Sequence, residues 1–279
     1  MGLRPAPSAR PDADAIAAEL VAARDAHRQI APLSQRIAGF GLDEAYAVTE
    51  AVRRLRRARG EQPVGRKIGF TNRTIWDEYG VHAPIWGDMY DATVRPLADA
   101  GGAFDLAPLL EPRIEPEIAF GLARAPLPGM DEAALLGCVA WVAHGFEIVQ
   151  SLFPGWRFAA ADTIAAFGLH GAYLLGPKHP IAERTAGDWL AALARFEIAL
   201  SRDGAEIDRG RAADLLGGPL SALRHLVELL ARDARNPPLA AGEMVTTGTV
   251  TRAFPVAPGE TWRTRLTGLP LDGISVRFV

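Results

Sequence analysis

Two kinds of hydrophobic pattern divide the chain. From Asp12 to Ile30, Ile16, Leu20 and Val21 recur at helical spacing, and from Asp43 to Arg59 Tyr46, Ala47, Val52 and Leu55 do likewise until Gly60 stops the run. Beyond Gly60 the pattern shortens into apolar or alternating runs broken by Gly and Pro, at 64–71, 113–120, 138–150, 171–176, 194–201, 243–250 and 273–279. Helical pieces interrupt them near 131–137, 185–193 and 220–233. Regular crossover helices do not separate these strands, so the pattern predicts an α+β fold with a mixed, mainly antiparallel β core and flanking helices. Residues 1–60 form a helical lead-in and residues 61–279 the β domain, together one structural unit.

The 279 residues leave ample interior for an enclosed site. No apolar run approaches the roughly 20 residues of a membrane span, and the start, MGLRPAPSARPDA, lacks the apolar core of a signal peptide, so a cytoplasmic protein is expected. With 30 basic against 33 acidic side chains, a net charge of -3 argues against a nucleic-acid partner. The single Cys138 excludes an internal disulfide and a cysteine-rich metal site. No GxSxG elbow, phosphate-binding GxxxxGK[ST] loop or GxGxxG turn is present. Of the 30 basic residues only Lys67 and Lys178 are lysine. Lysine can lose its proton where arginine cannot, so both positions bear inspection. Lys178, in Gly-Pro-Lys-His-Pro, reads as an exposed turn. The cluster Arg53, Arg54, Arg56, Arg57 and Arg59 lacks interleaved aromatics and reads as a solvated helix face.

Four segments carry candidate chemistry. In Val64–Thr71, strand alternation puts Lys67 on a face with Gly65, Gly69 and Thr71, either lining a pocket or exposed on an edge strand. In RIEPEIAF, Glu115 and Glu117 share one face with Cα atoms roughly 6.5–7 Å apart, and Pro116 marks an edge or a bulge. Glu147 sits inside the apolar run 138–149 and must be protonated, paired with an arginine or bound to a metal. Three carboxylates with an open side suit Mg²⁺ or Mn²⁺. The histidines, at 27, 82, 144, 170, 179 and 225, lack zinc-helix spacing; His144, three residues before Glu147, and His170, in a Gly-rich stretch, are the two to watch. Finally, in MVTTGTV the hydroxyls and N–H groups of Thr247, Gly248 and Thr249 either hold a carboxylate or simply end a strand.

Taken in order, GRKIGFTN, YGVHAPIWG, the E-P-E of 115–117, GFEIVQS, DTIA at 162–165 and VTTGTVTRAFPVAPGE at 245–260 resemble the fumarylacetoacetate hydrolase superfamily, in its 2-keto-4-pentenoate hydratase and 4-oxalocrotonate decarboxylase branch. The match spans roughly residues 40–279. The resemblance implies a mixed β-roll, usually a homo-oligomer, with Glu115, Glu117 and Glu147 as ligands of Mg²⁺ or Mn²⁺. It also implies Lys67 beside the substrate and Thr249 among the groups at its carboxylate. The expected substrate is a 2-oxo or 2-hydroxy-dienoate acid from aromatic meta-cleavage, hydrated to a 4-hydroxy-2-oxo acid.

Two departures qualify that expectation. Ile85 follows Pro84 where hydratases of the branch carry an acidic residue, and Ala166 follows DTIA where an acid is frequent. A decarboxylase of 2-oxo-3-hexenedioate is therefore the alternative, with Arg73 or Arg252 holding the second carboxylate. A third reading, an acylpyruvate-type C–C hydrolase, would need His144 or His170 as its base. A fourth is a weakly active partner subunit, since hydratases and decarboxylases of the branch can associate; three intact carboxylates argue against it.

Overall fold

The computed structural model describes residues 11–279 apart from 74, 75, 80, 82, 99, 100, 183 and 184; His82 and part of the YGVHAPIWG segment lie outside the described residues. Three helices lead in: α1 (Ala13–Asp25), α2 (Leu33–Arg36) and α3 (Leu42–Ala58). The Asp12 carboxylate accepts from the N–H groups of Asp14 and Ala15 and so starts α1, while the Glu44 side chain accepts from Gly41 N–H at the start of α3. Ile16, Leu20, Val48 and Val52 bury their side chains in one core with Ile85, Ile164 and Phe167.

The larger sheet has the strand order β2-β1-β10-β5-β6-β7-β3, built from β1 (Pro63–Gly69), β2 (Ile85–Tyr90), β3 (Val94–Pro96), β5 (Arg113–Leu122), β6 (Val139–Val149), β7 (His170–Pro180) and β10 (Met244–Thr249). The short β11 (Phe254–Pro255) adds to β5. The smaller sheet runs β4-β13-β12-β8-β9, from β4 (Ala103–Phe104), β8 (Glu197–Arg202), β9 (Ala205–Arg211), β12 (Thr261–Thr267) and β13 (Ser275–Phe278). Among the described residues only the β1–β10, β3–β7 and β4–β13 pairs are parallel, so the core is α+β, mixed and mainly antiparallel. The remaining helices are α4 (Trp76–Tyr79), α5 (Glu132–Leu136), α6 (Ala160–Ala165), α7 (Ala186–Leu193) and α8 (Pro219–Ala231). Leu220, Leu223 and Leu226 of α8 pack on Ile118, Phe120 and Val245, covering one face of the large sheet.

Several strands escaped the hydrophobic pattern for physical reasons. β12 reads Thr-Trp-Arg-Thr-Arg-Leu-Thr and buries only Trp262 and Thr264, and β9 is a polar edge strand. β2 is buried throughout, but Asp88 interrupts its apolar run. That aspartate accepts from Arg53 Nε at 2.8 Å and forms an ion pair with Arg66 Nε at 2.9 Å. Arg53 and Arg56 are thus buried, and the solvated-face reading of their cluster holds only for Arg54, Arg57 and Arg59. Lys178 is exposed, not in a turn but at the end of β7, with its Nζ 4.7 Å from the Trp141 ring centre. Asp162, the first residue of DTIA, holds the chain together: its carboxylate accepts from Ser34 N–H and Oγ–H and from Ala159 N–H.

Candidate metal centre and pocket

Glu115 and Glu117 stand on one face of β5, and Glu147 lies directly opposite Glu115 on β6. An oxygen from each of the three carboxylates lies within 4.8 Å of the other two. Pro116 marks a bulge, as its missing N–H suggests, but the strand is interior rather than an edge. The bulge is in β10, where Thr246 faces Ala119 and Thr249 faces Glu117, leaving one extra residue between them. Gly248 in that bulge has φ +89, and a Cβ there would lie 1.8 Å from Thr71 Oγ1, so only glycine fits. Its N–H donates to Glu117 Oε2 at 2.9 Å.

Lys67 stands on β1, three strand spacings from β6, a distance of roughly 14 Å along a flat sheet. Its Nζ nevertheless lies 3.1 Å from Glu147 Oε2, because the sheet curls into a trough and both side chains lean across it. The lysine is buried and its strand is interior, which removes the exposed-edge reading. Glycines shape its slot: a Cβ on Gly69 would lie 3.5 Å from Lys67 Cε, and one on Gly168 3.4 Å from its Cδ.

The electrostatics follow from burial and proximity. Burial works against the Lys67 charge, but Glu147, Glu115 and Glu117 outweigh it and raise the ammonium above its ordinary pKa. Burial also opposes charge on Glu147, yet Lys67 and the His170 ring overcome it and lower the carboxyl to about 2. Glu115 is pushed by burial up to about 7, with Lys67 and Arg113 opposing and Glu147 adding to the rise. Burial and then Glu147 lift Glu117 well above the usual carboxylate range. One lysine therefore balances one of three carboxylates. Glu117 Oε1, fully buried, has no hydrogen-bond partner among the described residues, and such an acceptor is costly unless something binds it. An all-carboxylate donor set with unmet acceptors and excess negative charge fits a hard divalent cation.

Glu147 is oriented from behind. His170 Nδ1 lies 2.8 Å from Glu147 Oε1 and its Nε2 lies 2.9 Å from Thr93 Oγ1. Burial lowers the His170 pKa against the pull of Glu147; Nδ1–H donates to Glu147, and Nε2 meets Thr93 Oγ1, a hydroxyl that itself donates to Tyr90 O at 3.0 Å. His144 does not join the group. It lies an odd number of residues from Glu147, hence on the opposite face of β6, where Nδ1 meets the Glu117 backbone carbonyl and Nε2 meets Thr264 Oγ1. Neither histidine lines the pocket, so neither is placed as the base a C–C hydrolase would need.

A pocket of about 260 Å³ opens over Lys67 and Glu115. Thr249, Arg252 and Asn72 line it, together with Arg113 and Trp156. Thr249 Oγ1 donates to Thr251 O, and Thr247 lies off the pocket with its hydroxyl donating to Ile118 O. The Thr-Gly-Thr segment thus positions Glu117 instead of offering free hydroxyls. Arg73 is exposed, outside the pocket, with its guanidinium 5.7 Å from the Trp76 ring centre. Sequence reasoning missed Arg113, whose guanidinium lies 4.1 Å from the Trp156 ring centre. The Pro-Gly turn before Trp156 was the available signal. Ile85, the residue in place of an acid, lines the pocket, as do Gly168 and Leu169 of a left-handed turn with φ 62, 61 and 64 at residues 167–169.

Comparison with known proteins identifies the family and the fold. The family model for the fumarylacetoacetate (FAA) hydrolase C-terminal domain matches residues 94–272. The chain is 31% identical over 236 residues to a 2-hydroxyhexa-2,4-dienoate hydratase of Comamonas testosteroni, covering 84% of this chain and 85% of that protein. It is likewise 31% identical over 238 residues to a 4-oxalocrotonate decarboxylase of Pseudomonas sp. (strain CF600), covering 85% of each. The solved structure of a 4-oxalocrotonate decarboxylase from Pseudomonas putida G7, complexed with magnesium and adipate, superposes with a TM-score of 0.85 at 27% identity, covering 96% of this chain and 97% of that one.

Proposed function

The chain belongs to the fumarylacetoacetate hydrolase family, and from that premise we propose a divalent-metal-dependent lyase that hydrates a 2-hydroxy-2,4-dienoate to a 4-hydroxy-2-oxo acid. The observation that carries the reading is the buried Lys67 ammonium beside three clustered carboxylates, with Lys67 and Glu115 lining one pocket. Glu115, Glu117 and Glu147 would hold Mg²⁺ or Mn²⁺, which when bound supplies a Lewis acid for the charge that develops on the substrate's C1 carboxylate and C2 oxygen. Lys67, charged and held in its glycine slot, has two available roles: to pair with the C1 carboxylate, or to pass a proton toward C5 so that water can add at C4. His170 and Thr93 keep Glu147 aimed. Phe70, Ile85 and Phe254 supply apolar wall for the dienoate chain.

A second reading, decarboxylation of 2-oxo-3-hexenedioate, is favoured by Arg113 and Arg252 on the pocket wall, two cationic groups suited to a distal carboxylate, and by Ile85 in place of an acid. Offering 2-hydroxypenta-2,4-dienoate and 2-oxo-3-hexenedioate separately with Mn²⁺, while following dienol absorbance and CO₂ release, separates the two. Dienol loss without CO₂ supports the hydratase; CO₂ from the dioate supports the decarboxylase; neither, in metal-loaded protein, refutes both. Lys67→Arg is expected to keep metal binding and lose most turnover, and near-normal activity would show that positive charge alone suffices.

A further inference from the structure

A second cavity, of about 480 Å³, lies between the end of α1, α3 and the turn that joins β2 to β3. Arg24, His27, Arg56 and Arg95 border it, as do Asp25, Glu61 and Asp105. The acids already have partners. Glu61 accepts from Arg56 Nε at 2.8 Å, Asp25 pairs with Arg59 at 2.5 Å, and Asp105 accepts from Ala107 N–H at 2.9 Å. Arg24 and Arg95 have no ion pair or hydrogen bond to any described residue; Arg24 rests on the Phe167 ring, 5.4 Å from its centre. Burial and the neighbouring Arg56 lower Arg24 to about 10, although Glu61 and Asp25 work the other way. A guanidinium largely withdrawn from water, without an acceptor for its five N–H groups, is costly unless an anion completes it.

We propose that this cavity is an oxyanion site, in which a carboxylate or phosphate group is held by Arg24 and Arg95. The paired N–H edges of guanidinium match two-oxygen acceptors of either kind. The site is distinct from the metal pocket, with which it shares no lining residue. The two are nevertheless close: Thr93 lines the cavity, and its hydroxyl meets His170, which meets Glu147, so an occupant sits two hydrogen bonds from the carboxylate cluster.

The test is thermal denaturation of the magnesium-loaded full chain titrated with inorganic phosphate, with succinate, and with sodium chloride at matched ionic strength. A saturable rise in midpoint with phosphate or with succinate, beyond that with chloride, is expected; the anion that produces it identifies a tetrahedral or a carboxylate ligand. Arg24→Gln should weaken the response at least tenfold. Arg95→Gln, on an exposed side chain, should preserve the fold and weaken the response several-fold, while Arg113→Gln, in the first pocket, should leave it intact. The proposal is overturned by a response no larger than that to chloride, or by one lost in Arg113→Gln and retained in Arg95→Gln.

Discussion

Replacing Lys67 with methionine removes the ammonium and keeps most of the stem that fills the glycine slot. At an effective dielectric of about 20, unit charges 3.1 Å apart attract by about 5 kcal/mol. Desolvation offsets part of this in the native protein, but deleting one partner of a buried pair leaves the other uncompensated, at a cost of roughly 3–5 kcal/mol. For a chain of this size that lowers Tm by roughly 5–9 °C in the presence of EDTA. The pH dependence has a definite sign. Lys67 and His170 hold Glu147 at about 2, below its ordinary 4.5, so the pair's contribution is present above pH 4.5 and fades as pH falls toward 2. The deficit of Lys67→Met is therefore large at pH 8, mostly retained at pH 4 and small only near pH 2. A divalent ion supplies the missing positive charge, so saturating Mg²⁺ should raise Tm more in the variant than in the wild type, and titration calorimetry should show tighter metal binding. Equal stability of the two proteins in EDTA at pH 8, or an equal rise with Mg²⁺, would refute the account of Lys67 as the counter-charge of the carboxylate cluster.

Three other perturbations probe the supports of the site. Gly248→Ala forces a Cβ against Thr71 at a left-handed φ and should cost about 2–4 kcal/mol in urea denaturation, with weakened Mn²⁺ binding because the Glu117 contact moves; wild-type values for both would show that the bulge yields freely. Thr93→Val leaves His170 Nε2 without its hydroxyl and should lower metal affinity about tenfold or more by calorimetry while costing about 1–2 kcal/mol of stability; unchanged affinity would mean that Glu147 needs no such alignment. His144, held neutral by burial with its pKa lowered from 6.5 to about 4, removes up to about 3 kcal/mol of stability as pH falls between those values. His144→Gln should flatten that part of the stability profile, and an unchanged slope would assign it to other groups.

How much of this was visible in the chain depends on the range of the interaction. The shared face of Glu115 and Glu117 follows from strand alternation, and the need of Glu147 for a partner follows from its apolar neighbours. The same alternation separates His144 from Glu147, because three residues along a strand reverse the face; proximity in sequence was the wrong guide there. What the pattern could not show is register. Glu147 meets Glu115 because of how the β5–β6 hairpin pairs, and Lys67 reaches it because the sheet curls, and neither leaves a local signature. Arg113 on Trp156 and Thr93 behind His170 are likewise tertiary pairings. The burial of Arg53 and Arg56 was hidden for a related reason: their acceptors, Asp88 and Glu61, lie on later segments.

The place of β10 in the large sheet has a consequence for biosynthesis. β5 and β6 are hairpin neighbours, so all three glutamates can be brought together as soon as the ribosome has released residue 149. β1 emerges earlier, yet it pairs with no strand but β2 and β10 among the described residues, and β10 begins at Met244. For nearly a hundred codons the nascent chain carries its acidic cluster without its lysine. During that interval dissolved cations or protons must neutralise the carboxylates, and a strand translated almost last in the large sheet is the one that brings the ammonium home.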